Sequence, residues 1–172
     1  MTKEELFAIM KGTIIVSCQA TPGEPLYDPV RSVMPLMARA AKQAGAKMIR
    51  TSSVRDIIGI KEETGLPVIG LIKREYPGYT GRITMTMREV DECMEALADI
   101  VSIDCTDTAR GDGLSAPEFL REVKKKYPHH HHGGLRHPGG GESRRPGRRG
   151  SGRFHHERIY CRNGALHGRT EL

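Results

Sequence analysis

The chain has 172 residues and a formal net charge of +6 at pH 7, long enough for one domain with its own core. No apolar run could span a membrane, and Met1-Thr2-Lys3-Glu4-Glu5 is not the apolar start of a secretory signal, so a cytoplasmic protein without a membrane partner is expected. The charge is unevenly placed: nine arginines, three acids and all eight histidines follow Pro128, while the first 128 residues balance 18 basic against 18 acidic side chains. Residues 1–128 and 129–172 are therefore read as two different materials. Cys18, Cys93, Cys105 and Cys161 form no CxxC pair and suit a reduced compartment better than a disulfide framework.

In chain order, residues 3 to 10 read as a short helix and Thr13–Cys18 as a buried strand. The strand runs into Gln19-Ala20-Thr21-Pro22-Gly23-Glu24-Pro25, a loop stiffened by two prolines. A helix capped by Ser32 follows, with Pro35 in its tolerant first turn and Leu36, Met37, Ala40 and Ala44 on one face. Gly45 suits its end. Lys47–Arg50 is a second strand, and Ser53 caps a helix that Gly65 stops. Pro67–Ile72 is a short apolar run that ends abruptly in Lys73-Arg74-Glu75, the pattern of a strand buried on both faces. Thr86 caps a helix whose apolar stripe is Val90, Cys93, Met94 and Leu97. Ile100–Asp104 is a fourth buried strand and 117–126 a last helix with lysines at its end. Arg110-Gly111-Asp112 has the form of a cell-adhesion signal and is read as chance.

Strand and helix alternate four times, which specifies an α/β fold with a parallel sheet. Gln19, Arg50, Lys73 and Asp104 fall at or just past strand ends, which share one rim in such a sheet. A lysine there can serve as a base when burial or a cationic neighbour such as Arg74 disfavours its charged form. Spacing alone favours a plainer reading, a solvated lysine ending a strand.

The segments IIVSCQATPGEPL, KMIRTSS, LPVIGLIKREYPG, TMREVDE and SIDCTDTARGDG resemble the N-acylglucosamine-6-phosphate 2-epimerases, which act on N-acetylmannosamine 6-phosphate in sialic acid catabolism. The likeness runs through Pro128. It implies a (β/α)₈ TIM barrel of which only about the first four strand–helix units are present. It further implies inversion at C2 of a small amino-sugar phosphate without metal, nucleotide or other cofactor. Lys73 would be the base, with Gln19, Arg50 and, more weakly, Asp104 contacting substrate. A second group, a glutamate from later strands, would return the proton, and later loops would grip the phosphate. The full-length family protein is compatible with a homo-oligomer. Other readings are a different phosphosugar barrel, or a non-enzymatic remnant.

Residues 129–172 hold a four-histidine run and Arg144-Arg145-Pro146-Gly147-Arg148-Arg149. A nucleic-acid-binding arm and a histidine metal site rank below a reading-frame error. As written, the segment has too few apolar residues to fold and is expected to be disordered. Moved forward by one base, the genetic code permits IIIMADCATLEEG over 129–142 and ADRAGADVVGSTMSGYT over 144–161. Both strings resemble the continuation of the same family, so four unclosed strands and an out-of-frame tail are expected to leave this chain inactive.

Overall fold

The computed structural model describes residues 2–79, 81–106, 110–136 and 158–160. The elements run α1 Lys3–Met10, β1 Ile15–Ser17, α2 Met34–Gln43, β2 Met48–Ser52, α3 Val54–Thr64, β3 Val68–Leu71, α4 Met87–Glu95, β4 Ile100–Asp104, α5 Ala116–Lys126, β5 His131–Arg136 and β6 Arg158–Tyr160. They form one sheet in the order β1-β2-β3-β4-β5-β6. The first five strands are parallel and β6 is antiparallel to β5. This is the first stretch of a (β/α)₈ barrel, in which each helix carries the chain back to start the next parallel strand.

The two faces of the sheet follow the period of two. Val16, Ile49, Val68, Val101 and Ile103 face outward into the main core, where Ala38, Ile57, Ile60, Val90, Cys93, Phe119 and Val123 of the helices meet them. Met48, Ile69 and Ile100 face inward, with Ile15 packed beside them. At this inner floor α1 acts as a plug: Leu6 is buried there, with Ile9 and Met10 beside it. Thr2 starts α1 with a reciprocal capping box to Glu5, which fixes the plug's first turn.

The structure corrects the sequence reading at three places. Ser32 is not the N-cap of α2; Val33 is, and the Ser32 hydroxyl only accepts from the Met34 amide at 3.1 Å. The buried face of α2 is Met34 and Ala38, while Leu36 and Met37 are exposed, because Pro35 packs on α3, 3.0 Å from where a Cβ on Gly59 would lie. Leu97 lies outside the α4 stripe: the helix ends at Glu95 and Leu97 takes φ +60° beyond it, fully in solvent at 71% exposure.

After Pro128 no ordered strand was expected, yet residues 131–136 extend the sheet as β5, in register from Ile100↔His131 to Asp104↔Leu135. An open edge strand offers unpaired N–H and C=O groups that template pairing whatever the side chains are. Residues 158–160 likewise form β6 against β5, and the remaining tail, Cys161 included, lies outside the described residues.

Candidate active site

The alternation that builds the floor also builds the site above it. Stepping two residues at a time from the inward-facing Ile15, Met48, Ile69 and Ile100 gives Ser17, Arg50, Leu71 and Ser102. A further step gives Gln19, Ser52, Lys73 and Asp104. The residues between them confirm the parity, since Cys18, Ile72 and Cys105 all pack into the outer core. All four sequence-derived candidates therefore stand on the inner face at the carboxyl end of the strands, over an apolar floor.

Cross-strand bonds hold this rim together. Ser17 pairs with Arg50 and Ser52 with Leu71. The Cys18 amide donates to the Arg50 carbonyl at 2.9 Å, and the fully buried Thr51 hydroxyl donates to the Cys18 carbonyl at 2.7 Å. The Lys73 amide donates to Ser52 Oγ at 3.3 Å, fixing the lysine's backbone to β2. On its other side Lys73 forms an isolated antiparallel bridge with Ile83, whose carbonyl accepts from the Asp104 amide at 3.0 Å. Lys73-Arg74 and Arg82-Ile83 thus pair antiparallel, a fold-back that links the ends of β3 and β4.

Each candidate has its own environment. Gln19 Nε2 donates to Ser17 Oγ at 2.6 Å, while Gln19 Oε1 is buried and has no partner among the described residues. A buried acceptor without a donor carries a desolvation cost, which a hydroxyl or amide N–H of a ligand would relieve. Lys73 is exposed to solvent. Its charge reaches across to the loop after β1: the exposed Glu24 carboxyl is held below the ordinary range chiefly by hydrogen bonds from Thr21, with Lys73 contributing through its field. Asp104 is turned toward its own loop, its Oδ1 accepting from the Thr106 amide at 3.0 Å and hydroxyl at 2.6 Å.

Sequence reasoning gave Arg74 as a cationic neighbour for Lys73. The structure directs it elsewhere. Its guanidinium points outward and pairs with Glu89 at 2.7 Å and Glu92 at 3.0 Å on α4, so its charge is already met by two carboxylates. Glu89 is fully buried and was missed. Its signal was the T-x-x-E pattern of Thr86 and Glu89, a capping box, but the sequence gave no sign that Arg74 reaches it. The Arg110-Gly111-Asp112 triplet is closed off as a surface signal: the Arg110 side chain is 1% exposed, pairs with Asp112 at 3.1 Å and lies 3.8 Å over the Phe119 ring. Burial disfavours the thiolate of Cys93, pushed up to about 12, and raises Cys18 as well, so neither is activated as a nucleophile. No group of three His, Cys, Asp or Glu side chains able to hold a metal occurs among the described residues, and no described helix is long and apolar enough to cross a membrane.

A rim that sets an amine and an amide over a closed apolar floor can abstract a proton from a small polar ligand held by hydrogen bonds. Comparison with known proteins agrees in kind. Residues 34–131 match the family described as "Putative N-acetylmannosamine-6-phosphate epimerase". A protein from Caldanaerobacter subterraneus subsp. tengcongensis, named as such a 2-epimerase, is 50% identical over 119 residues, covering 69% of this chain and 49% of its own length. An Enterobacter relative of the same name is 45% identical over 120 residues, or 70% of this chain and 50% of its own. The solved N-acetylmannosamine-6-phosphate 2-epimerase from Clostridium perfringens superposes with a TM-score of 0.65 at 40% identity, covering 70% of this chain and 52% of that one. The chain spans about half the length of the curated relatives it matches.

Proposed function

The chain belongs to the N-acetylmannosamine-6-phosphate epimerase family, and on that premise we propose that residues 1–128 are the base-bearing half of an enzyme that interconverts N-acetylmannosamine 6-phosphate and N-acetylglucosamine 6-phosphate. The carbonyl at C1 of the ring-opened sugar makes the C2 proton acidic. The Lys73 amine takes that proton, leaving an enolate whose charge rests on the C1 oxygen. A second acid then returns a proton to the opposite face of C2, which inverts the centre. Gln19, Arg50 and Asp104 bind the sugar; no cofactor is assigned to the reaction. The glutamate that returns the proton, and the grip on the phosphate, belong to later strands and loops by family likeness.

The observation that carries this reading is the parity of the strands. It sets Gln19, Arg50, Lys73 and Asp104 on one inward face, and Gln19 Oε1 lacks a donor there. We further propose that residues 129–172 are an out-of-frame reading of the barrel's continuation. Residues 131–135 take the next parallel position beside β4, where the shifted frame places IMADC.

The test is turnover. The protein read in the shifted frame from Pro128 should convert N-acetylmannosamine 6-phosphate to its C2 epimer, followed by proton NMR, and the 172-residue chain should not. Conversion of a different phosphosugar in preference to this one would move the assignment to another barrel enzyme.

A further inference from the structure

We propose that Glu89 is a positioning residue for Lys73, acting through Arg74 and Tyr76 to fix the chain where it leaves β3; this rests on the reading of Lys73 as the base. Glu89 is fully buried at the start of α4, and its carboxylate collects four donors. Oε1 accepts from Arg74 Nη1 at 2.7 Å and from the Tyr76 hydroxyl. Oε2 accepts from the Thr86 amide at 2.8 Å and the Thr86 hydroxyl at 2.7 Å. Two of these donors hold Glu89 to its own helix, and two reach it from the fold-back that begins at Lys73. Burial works against the ionised form, but the hydrogen bonds from Tyr76, Thr86 and Arg74 outweigh it and hold the carboxyl below the ordinary range.

The consequence for Lys73 is geometric. In an extended chain, successive side chains leave on opposite sides. Arg74 is drawn outward to α4 by Glu89 and Glu92, so Lys73 is sent inward over the floor. Its field is felt there by Glu24, on the loop after β1. Charge matters as well: Arg74 follows Lys73 in the chain, and its guanidinium, drawn to the outer side, is met by two carboxylates. Removing Glu89 takes one negative charge from beside the chain that leaves β3, which favours the free amine of Lys73; removing Arg74 takes one positive charge, which favours the ammonium form.

The experiment needs no turnover. In the frame-restored protein, the rate at which each lysine reacts with an amine-selective acylating reagent is followed against pH by peptide mass spectrometry. Lys61, held by Asp99 at 2.6 Å, and Lys42, bonded to the Thr64 carbonyl at 2.6 Å, serve as internal reporters of the fold. Glu89→Gln should speed the labelling of Lys73 by about threefold at fixed pH, the change in free amine that about half a unit along the pH axis produces, with Lys61 and Lys42 unmoved. Arg74→Gln should slow it by a similar factor. A Lys73 profile in Glu89→Gln that overlays the parent overturns the proposal. Should Glu89→Gln unfold the chain, so that all lysines speed up together, Arg74→Gln decides alone: selective slowing of Lys73 upholds the proposal, and an unchanged Lys73 overturns it. Failure of Lys73 as the base would show separately, as C2 exchange that persists without it, and would leave Glu89 positioning a lysine with some other task.

Discussion

At the scale of single residues, a buried polar atom without a partner is the most informative feature of the rim. Gln19 Oε1 has desolvated without a donor, so a bound sugar that supplies one gains a hydrogen bond and removes a penalty together. In the frame-restored protein, Gln19→Leu should therefore lower kcat/KM by about 10- to 100-fold, or about 1.4–2.8 kcal/mol; an unchanged kcat/KM would remove Gln19 from the substrate's contacts. Glu89 carries a pH signature. Its carboxyl lies below the ordinary range in the folded chain, so its contribution to stability is full above the ordinary glutamate value and is lost as the pH falls through the depressed one. Glu89→Gln should flatten the acid limb of a stability-against-pH curve measured by urea unfolding of the frame-restored protein. An acid limb identical to the parent's would mean that Glu89 does not titrate with folding. The rim positions of Lys73 and Gln19 were legible in the sequence, because a polar residue ending an apolar run is a local pattern. Glu89 as the partner of Arg74 was not legible, because the pair is 15 residues apart and meets only when the chain after β3 folds back on α4.

At the scale of elements, the period of two was the readable signal and the faces of the helices were the unreliable one. The alternation of inward Ile69 and outward Val68 follows from strand geometry alone. The face of α2 depends on what it packs against, and the contact of Pro35 with Gly59 on α3 turned Leu36 and Met37 outward. Gly70 shows the tightness of helix against strand. A Cβ there would lie 2.7 Å from Ala98 Cβ and 2.8 Å from Ile57 Cδ1, and the Ala98 methyl cannot rotate away. Gly70→Ala should destabilise the frame-restored protein by about 1–3 kcal/mol, read as a lower urea midpoint with an unchanged slope. A midpoint equal to the parent's would mean that α3 and the turn at Ala98 yield at little cost.

At the scale of the whole molecule, the sheet is the issue. Among the described residues β1 has a neighbour on one side only, and Ile14 beside it is 76% exposed. A parallel barrel removes such edges by closing, which takes eight strands with matched tilt and stagger. The composition changes abruptly at Pro128, where the sequence reading ends the in-frame barrel pattern. In the frame as written, residues 131–136 do not read as a strand; the shifted frame does put a strand there, and β5 pairs to β4 through the backbone. Sequencing the DNA across the Pro128 codon should find a shifted frame that stays open well past the present stop and encodes further strand–helix units. A stop within a few codons would end the frame-error reading and bring forward a Gly/Arg arm that binds nucleic acid. Without the shift, the 172-residue chain should show neither epimerase activity nor a cooperative unfolding transition.

The most direct measurement is solvent deuterium incorporation at C2 of N-acetylmannosamine 6-phosphate by the frame-restored protein and by its Lys73→Ala variant, followed by proton NMR in D₂O. The expected result is loss of the C2 proton signal with the parent and exchange slowed by about 100-fold or more with the variant, the scale on which a positioned base acts. Exchange at the parent's rate without Lys73 would contradict the assignment of this lysine, and with it the reading of the rim as the base half of an epimerase.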